Sequence, residues 1–65
     1  MKIQVNGAWR EVTATQLARA LEDLGYGASI VTTALNGDFV AAPARAHTAL
    51  AEGDRLEVLA PIQGG

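Results

Sequence analysis

The chain has no cysteine, and this absence removes several kinds of chemistry at once. Without a thiol the protein cannot form a disulfide, attack a substrate through a thiolate, or bind zinc or an iron–sulfur cluster through cysteine. It has a single histidine, His47, with no second histidine and no carboxylate cluster near it in sequence. A general base or a metal site needs such partner groups, so we interpret His47 as structural. We predict no catalytic residue and no metal site.

Positive charge is also scarce. Five Lys and Arg residues are scattered along the chain against seven Asp and Glu, which gives a net charge of −2. A protein that binds nucleic acid needs a basic surface for the phosphates, so nucleic acid is excluded as a partner. No apolar run approaches the roughly 20 residues that span a bilayer, and the N-terminus begins a strand pattern without a signal-peptide core. We therefore expect a cytoplasmic protein without a membrane partner.

Bulky apolar residues are few. Hydrophobic residues make up 49% of the 65 positions, but 13 of them are alanine, and aromatic residues contribute only 5% of the chain. This is enough for one thin core layer and therefore for a single domain. Such a domain is too small for most enzymes.

The first half of the chain predicts a hairpin followed by a helix. Ile3 and Val5 alternate with polar residues, and Asn6-Gly7 supplies the positive φ angles of a tight hairpin turn. We predict a second strand from Trp9 to Thr13. On this strand Trp9 shares a face with Glu11 and opposes Val12, so the pattern leaves open whether Trp9 lies in the core or at an interface.

A helix is predicted from about Gln16 to Leu24, because leucines recur at helical spacing at 17, 21 and 24. Thr13 and Thr15 are both candidate N-caps, and Thr13 with Gln16 has the spacing of a capping box. Gly25 should end the helix in the left-handed conformation.

The second half predicts three further strands. The β-branched run from Ser29 to Leu35 favours a strand, and Asn36-Gly37-Asp38 turns the chain into a short strand at Phe39-Val40. Residues 41–51 contain Pro43 and show weak periodicity, so we expect an irregular segment with at most one helical turn. A last strand follows, in which Leu56 and Val58 alternate with charged residues until Pro61.

This order of elements is typical of an α+β protein with the β-grasp arrangement, in which a mixed sheet of four to five strands wraps around one helix. We assign residues 1–60 to this domain and residues 61–65 to a flexible C-terminal tail. If the first and last strands are neighbours at the centre of the sheet, the tail leaves from a well-paired strand and projects into solvent.

The tail ends in Gly64-Gly65 after Pro61-Ile62-Gln63, and this is the feature that indicates chemistry. Glycines can pass through a channel too narrow for side chains, and the carboxylate of Gly65 could then react in the active site of another protein. A carboxylate is ionised and unreactive at neutral pH, so it would need activation by an ATP-using partner enzyme. Ile62 lies beyond the last strand, which favours a role in partner binding. The alternative is an ordinary frayed chain end.

With these features the chain resembles the small sulfur carrier proteins of thiamine biosynthesis, the ThiS family in the ubiquitin-like β-grasp group. The resemblance covers the whole chain and rests on landmarks in a specific order: Leu24-Gly25-Tyr26, the segment from Ala34 to Val40, the segment from Gly53 to Val58, and Pro61-Ile62-Gln63-Gly64-Gly65. The chain departs from the family pattern at Ala41-Ala42, where Pro-Arg is common, and at Arg45, where tryptophan is common. Both departures lie in the irregular segment.

The resemblance implies that Gly65 is a covalent carrier group. A partner adenylating enzyme would use ATP to attach AMP to its carboxylate, and a sulfur donor such as a cysteine desulfurase or sulfurtransferase would convert the adenylate to a thiocarboxylate. Thiazole synthase would accept the sulfur. Gly64, Gln63 and Ile62 would provide access and partner binding. The chain itself would be a monomer alone, bind no cofactor and act as a cosubstrate rather than as an enzyme.

Three other functions remain open at this point. The small subunit of molybdopterin synthase is similar in fold and terminal glycines, although it is usually longer and lacks the Pro61-Ile62-Gln63 sequence. Another ubiquitin-like carrier, or a modifier conjugated to lysines, would use the same activated tail. A simple interaction domain would use no covalent chemistry and would tolerate changes at Gly64 and Gly65.

Overall fold

The computed structural model describes residues 1–27 and 29–60, which form a five-stranded sheet packed on one α-helix. The elements in chain order are β1 (Lys2–Val5), β2 (Ala8–Glu11), α1 (Leu17–Asp23), β3 (Thr32–Leu35), β4 (Asp38–Val40), a 3-10 helix (Ala42–His47) and β5 (Arg55–Leu59). The strand order is β2-β1-β5-β3-β4. β1 and β5 run parallel at the centre, and the other neighbours are antiparallel. The mixed β-grasp sheet is therefore confirmed.

Two hairpin turns form where the sequence predicts them. Asn6 and Asn36 both have φ +51°, and the glycines that follow, Gly7 and Gly37, have φ +86° and +89°. Positive φ at both central residues defines a turn whose twist matches that of the flanking strands. Asparagine tolerates this conformation and glycine adopts it without strain, which explains why each pair stands between two strands.

The core lies between one face of the sheet and α1. The central strands contribute alternate residues to it, and the helix contributes Leu17, Ala20 and Leu21. Ile3, Leu17 and Leu56 are fully buried or nearly so. Among the described residues, the buried apolar ones are Ile3, Val5, Val12, Ala14, Leu17, Ala20, Leu21, Leu50, Leu56 and Val58. Leu56 and Val58, which alternate with charged residues in the last strand, thus face the core, and Leu24 packs half-buried at its border.

The predicted N-caps of the helix are wrong. The helix begins at Leu17, and its N-cap is Gln16, whose side chain makes no capping hydrogen bond. The backbone of residues 48–50 satisfies the start of the helix instead. The amide of Leu17 donates to the carbonyl of Thr48 at 2.9 Å, and Gln16 forms a β-bridge with Ala49. Because backbone carbonyls satisfy a helix amide as well as a hydroxyl does, no threonine is needed.

The C-terminal end of α1 follows the prediction. Gly25 has φ +95°, and its amide donates to the carbonyl of Glu22 at 3.0 Å. The amide of Tyr26 donates to the carbonyl of Leu21 at 2.8 Å. These two bonds form a Schellman motif, which satisfies carbonyls that the last turn would leave free.

Two predicted strands have different bounds because their pairing partners end. The second strand is Ala8–Glu11 rather than Trp9 to Thr13. Its register with β1 ends at Lys2–Glu11, and beyond it Val12 still exchanges backbone hydrogen bonds of 2.9 Å and 2.8 Å with Met1. The third strand begins at Thr32 rather than Ser29, since Thr32 pairs with Leu59, the last residue of β5. A strand extends only as far as another strand offers it hydrogen bonds.

The segment that was predicted to be irregular contains the 3-10 helix Ala42–His47, held in place by Arg45. The Arg45 Nε donates to the hydroxyl of Thr33 at 3.0 Å, and its Nη2 donates to the carbonyl of Val31 at 2.7 Å. The same Thr33 hydroxyl donates to the carbonyl of Val40 at 2.8 Å. Thr33 is fully buried, so this chain of bonds ties the 3-10 helix to β3 and β4.

We expect Thr33→Val to lower the free energy of unfolding by about 1 to 3 kcal/mol, because valine keeps the shape but leaves the Arg45 Nε–H without its acceptor. Urea unfolding measures the change. Thr32→Val is the matched control on the same strand, where the side chain is exposed and the expected change stays within about 0.5 kcal/mol. Equal effects of the two substitutions would contradict this interpretation.

Candidate functional site

The residues that the sequence singles out for chemistry, Ile62, Gln63, Gly64 and Gly65, lie outside the described residues, and so does Pro61. The assignment of 61–65 to a flexible tail therefore stays a prediction. The structure does describe the point where this tail begins. β5 ends at Leu59, and Ala60 follows it. We call Val58 to Ala60 the tail root, and the site consists of this root and the surface around it.

β5 is paired on both sides, as a central strand should be. On one side it runs parallel to β1, with Gln4 opposite Arg55 and Val5 opposite Leu56. On the other side, residues Leu56 to Leu59 of β5 pair antiparallel with β3. Leu56 and Val58 also point into the core, where their exposed fractions are 1% and 4%. The tail thus begins at a strand that both backbone bonds and core packing fix.

The tail root is held by a side chain that sequence reasoning assigned only to a turn. The amide of Val58 donates to the Oδ1 of Asn6 at 2.8 Å, and the Nδ2 of Asn6 donates to the carbonyl of Val58 at 3.0 Å. The Asn6 side chain thereby continues the pairing of β1 with β5 after β1 has turned away. The only signal in the sequence is the choice of asparagine before the glycine, which a hairpin alone also explains.

The face of the sheet opposite α1, here called the open face, carries large exposed apolar side chains near the tail root. Phe39 of β4 is 70% exposed and lies opposite Ala34 of β3. Leu59 of β5 is 63% exposed and lies opposite Thr32. Ile30 is 84% exposed but lies before β3, outside the strand register. We call Phe39 and Leu59 the apolar patch; their backbones are two strands apart on one face, about 10 Å across the strands and about 7 Å along them. Large exposed apolar side chains on one sheet face are typical of a protein-binding surface.

Trp9 also lies on the open face and not in the core, which resolves the question left open by the sequence. It is 59% exposed and pairs with Gln4, which in turn pairs with Arg55 at the start of β5. Leu59 is four residues further along β5, so the two side chains are about 13 Å apart along the strands and about 10 Å across them. Trp9 is therefore separate from the apolar patch.

The polar side chains that could suggest catalysis are engaged in structural contacts. The carboxylate of Asp54 accepts bonds from the amide of Ala51 at 2.8 Å and from the Nδ2 of Asn36 at 3.0 Å. Glu52 accepts from the amide of Lys2 at 3.1 Å. His47 is exposed on the 3-10 helix. Within residues 1–27 and 29–60, no group of three or more potential metal ligands comes together.

Within that same part of the chain, the helices are too short and too polar for any of them to cross a membrane.

The chain is similar to one family of small proteins over nearly its whole length. The model of the ThiS family matches residues 3–65. A crystal structure of a thiamine biosynthesis protein (ThiS) from Geobacter metallireducens is 30% identical in sequence and covers 100% of both chains, with a TM-score of 0.82. No curated protein matches the chain.

We expect that the apolar patch contributes little to folding. Phe39→Ser should change the free energy of unfolding by less than about 1 kcal/mol, because the ring is 70% exposed and the residue opposite it on β3 is the small Ala34. Leu56→Ala in the core is the comparison, with an expected loss of about 2 to 5 kcal/mol. Chemical denaturation of both variants checks this. A core-sized loss in Phe39→Ser would mean that the ring serves the fold instead of a partner.

Proposed function

This chain belongs to the ThiS family, whose members are small sulfur carriers of thiamine biosynthesis, and we propose that it carries its sulfur as a thiocarboxylate on Gly65 and delivers it to thiazole synthase. It acts in the cytoplasm as a cosubstrate, and it is a monomer between encounters with its partner enzymes. The chemistry is supplied by those partners, while this chain supplies the reactive terminus and the surfaces that bring it into their active sites.

The proposed reaction has three steps at the C-terminal carboxylate. First, a carboxylate oxygen of Gly65 attacks the α-phosphorus of ATP in the partner adenylating enzyme, and pyrophosphate leaves. Second, the outer sulfur of a persulfide on a cysteine desulfurase or sulfurtransferase attacks the carbonyl carbon, AMP leaves, and an acyl disulfide forms. Third, a thiol of a partner protein or of a cellular reductant attacks the donor-side sulfur of that disulfide, forms a new disulfide with the donor, and releases the thiocarboxylate. The thiocarboxylate is ionised at neutral pH and strongly nucleophilic. Because it remains attached to the chain, its sulfur is not lost to solvent before thiazole synthase accepts it.

The observation that carries this proposal is the position of β5. Its two-sided pairing holds the tail root in place, and only residues 61–65 separate that root from the reactive carboxylate. Five residues can span at most about 17 Å when fully extended. When a partner enzyme binds the sheet, the carboxylate is therefore confined to a small volume near the tail root. This confinement reduces the entropic cost of reaching the transition state.

The apolar patch also supports the proposed carrier function. A carrier must bind at least two enzymes in turn, so it needs a contact surface that is free between encounters and lies close to the tail. Leu59 is part of the patch and lies in the tail root itself. We propose that the patch docks on the partner enzymes while Ile62 and Gln63 guide the two glycines into the active site.

Removal of Gly65 should abolish sulfur loading and leave the fold intact, because residues between Ile3 and Val58 build the described core. The measurement is intact-mass spectrometry after incubation with ATP, the adenylating enzyme and a sulfur source. The full chain should gain the mass difference between sulfur and oxygen, and fragmentation should locate the gain at Gly65. Gly64→Val should load far more slowly, since its side chain obstructs a narrow channel. Sulfur loading of the truncated chain would refute the proposal.

The acceptor separates this function from its nearest alternative. The loaded chain should transfer sulfur to thiazole synthase and not to the large subunit of molybdopterin synthase. Exclusive transfer to the molybdopterin synthase subunit would mean that the chain serves the molybdopterin pathway and not the thiamine pathway. The proposed carrier mechanism would still stand. Recovery of the chain in covalent linkage to lysines of other proteins would instead favour a protein modifier.

Leu59→Ser should raise the KM of the adenylating enzyme for this chain by about tenfold, because a side chain in the docking surface loses its buried contact. Trp9→Ser is the matched control, since Trp9 is equally open to solvent on the same face but remote from the patch. Steady-state kinetics of AMP attachment measures both variants, with circular dichroism to confirm that each is folded. If the two substitutions raised KM equally, the docking surface would not be the patch.

A further inference from the structure

Asn6 and Asn36 form a matched pair of side chains that grip the same strand at its two ends. Each has φ +51°, each precedes a glycine, and each accepts a hydrogen bond from a backbone amide of β5. Asn36 receives the amide of Arg55 at 2.9 Å, at the start of β5. Asn6 receives the amide of Val58 at 2.8 Å, next to the tail.

The second bond of each side chain differs in its target. The Nδ2 of Asn36 donates to the carboxylate of Asp54, which precedes β5 and is only partly buried. The Nδ2 of Asn6 donates to the carbonyl of Val58, so Asn6 holds both backbone polar groups of one residue. The backbone of a neighbouring strand would make the same two contacts. The Asn6 side chain therefore takes the place of β1 backbone beside Val58, where β1 has already ended.

A hairpin turn does not require this arrangement. Glycine would serve the positive φ of residue 6 at least as well as asparagine, and the turn from β1 to β2 would keep its backbone bonds. Glycine has no side chain to bond the backbone amide and carbonyl of Val58. The register of β1 with β5 consists of Gln4–Arg55 and Val5–Leu56 and does not extend to Val58. Without the Asn6 side chain, the tail root would keep partners on the β3 side alone, where Leu59 pairs with Thr32.

We infer that Asn6 is a positioning residue for the tail: by completing the pairing of Val58, it fixes the direction in which residues 61–65 leave the sheet and so sets how often Gly65 reaches the reacting position. This inference rests on the proposed function, in which a partner enzyme receives the tail. The effect acts through Val58, since Asn6 itself lies in the turn before β2 and not in the tail.

The experiment compares Asn6→Gly with Asn36→Gly in the full chain. Both variants place a glycine, which adopts positive φ readily, at the first central position of the turn, and both lose two side-chain hydrogen bonds to or beside β5. Two quantities are measured for each: amide hydrogen exchange along β5 by NMR, and the kcat and KM of thiocarboxylate formation with the adenylating enzyme and sulfur donor.

In Asn6→Gly we expect exchange at Val58 and Leu59 to accelerate about tenfold and kcat to fall about three- to tenfold, with KM within about twofold of the unaltered chain. In Asn36→Gly we expect faster exchange at Arg55 only, and an unchanged kcat. This pattern separates positioning from stability, because a loss of stability alone would affect both variants alike.

Equal falls of kcat in the two variants would overturn the inference, and so would normal exchange at Leu59 in Asn6→Gly. If the unaltered chain formed no thiocarboxylate at all, the proposed function would fail. The exchange measurement would still decide whether Asn6 fixes the tail root, because it needs no partner enzyme.

Discussion

The parallel pairing of β1 with β5 is the constraint on which the rest of the structure depends. It joins the two ends of the domain, since the bonds of Asn6 to Val58 link positions that are 52 residues apart. The pairing places Ile3 and Val5 beside Leu56 and Val58, and these four residues lie on the sheet side of the core. Among the described residues the buried apolar side chains form one cluster, so no second cluster would hold α1 if the central pair separated.

The same pairing bears on the proposed carrier function. A central strand is the most firmly held element of a sheet, and here it is the strand that leads directly into the terminal segment. The open face beside it carries Phe39 and Leu59, which contribute to no core layer. Folding and the proposed partner binding thus use opposite faces of one sheet, so each could be altered with limited effect on the other.

The sequence predicts the order of the elements because its signals are local. The turns at Asn6-Gly7 and Asn36-Gly37, the end of α1 at Gly25 and the alternation around Leu56 each depend on a few neighbouring residues. What it could not predict are contacts between distant segments. The helix start depends on the carbonyl of Thr48, the 3-10 helix on the bonds of Arg45 to β3, and the tail root on the side chain of Asn6. The tail itself is predicted only, from its glycines and from the resemblance of the chain to a family.

β4 has only three residues, with the charged Asp38 at its beginning, and it forms one edge of the sheet. An edge strand with free amides and carbonyls invites another copy of the protein to add its own strand, and a neighbouring apolar surface increases that risk. Such a short edge offers few hydrogen bonds to an incoming strand. The exposed Phe39 can therefore lie on this edge strand with less risk that copies of the chain assemble edge to edge into aggregates.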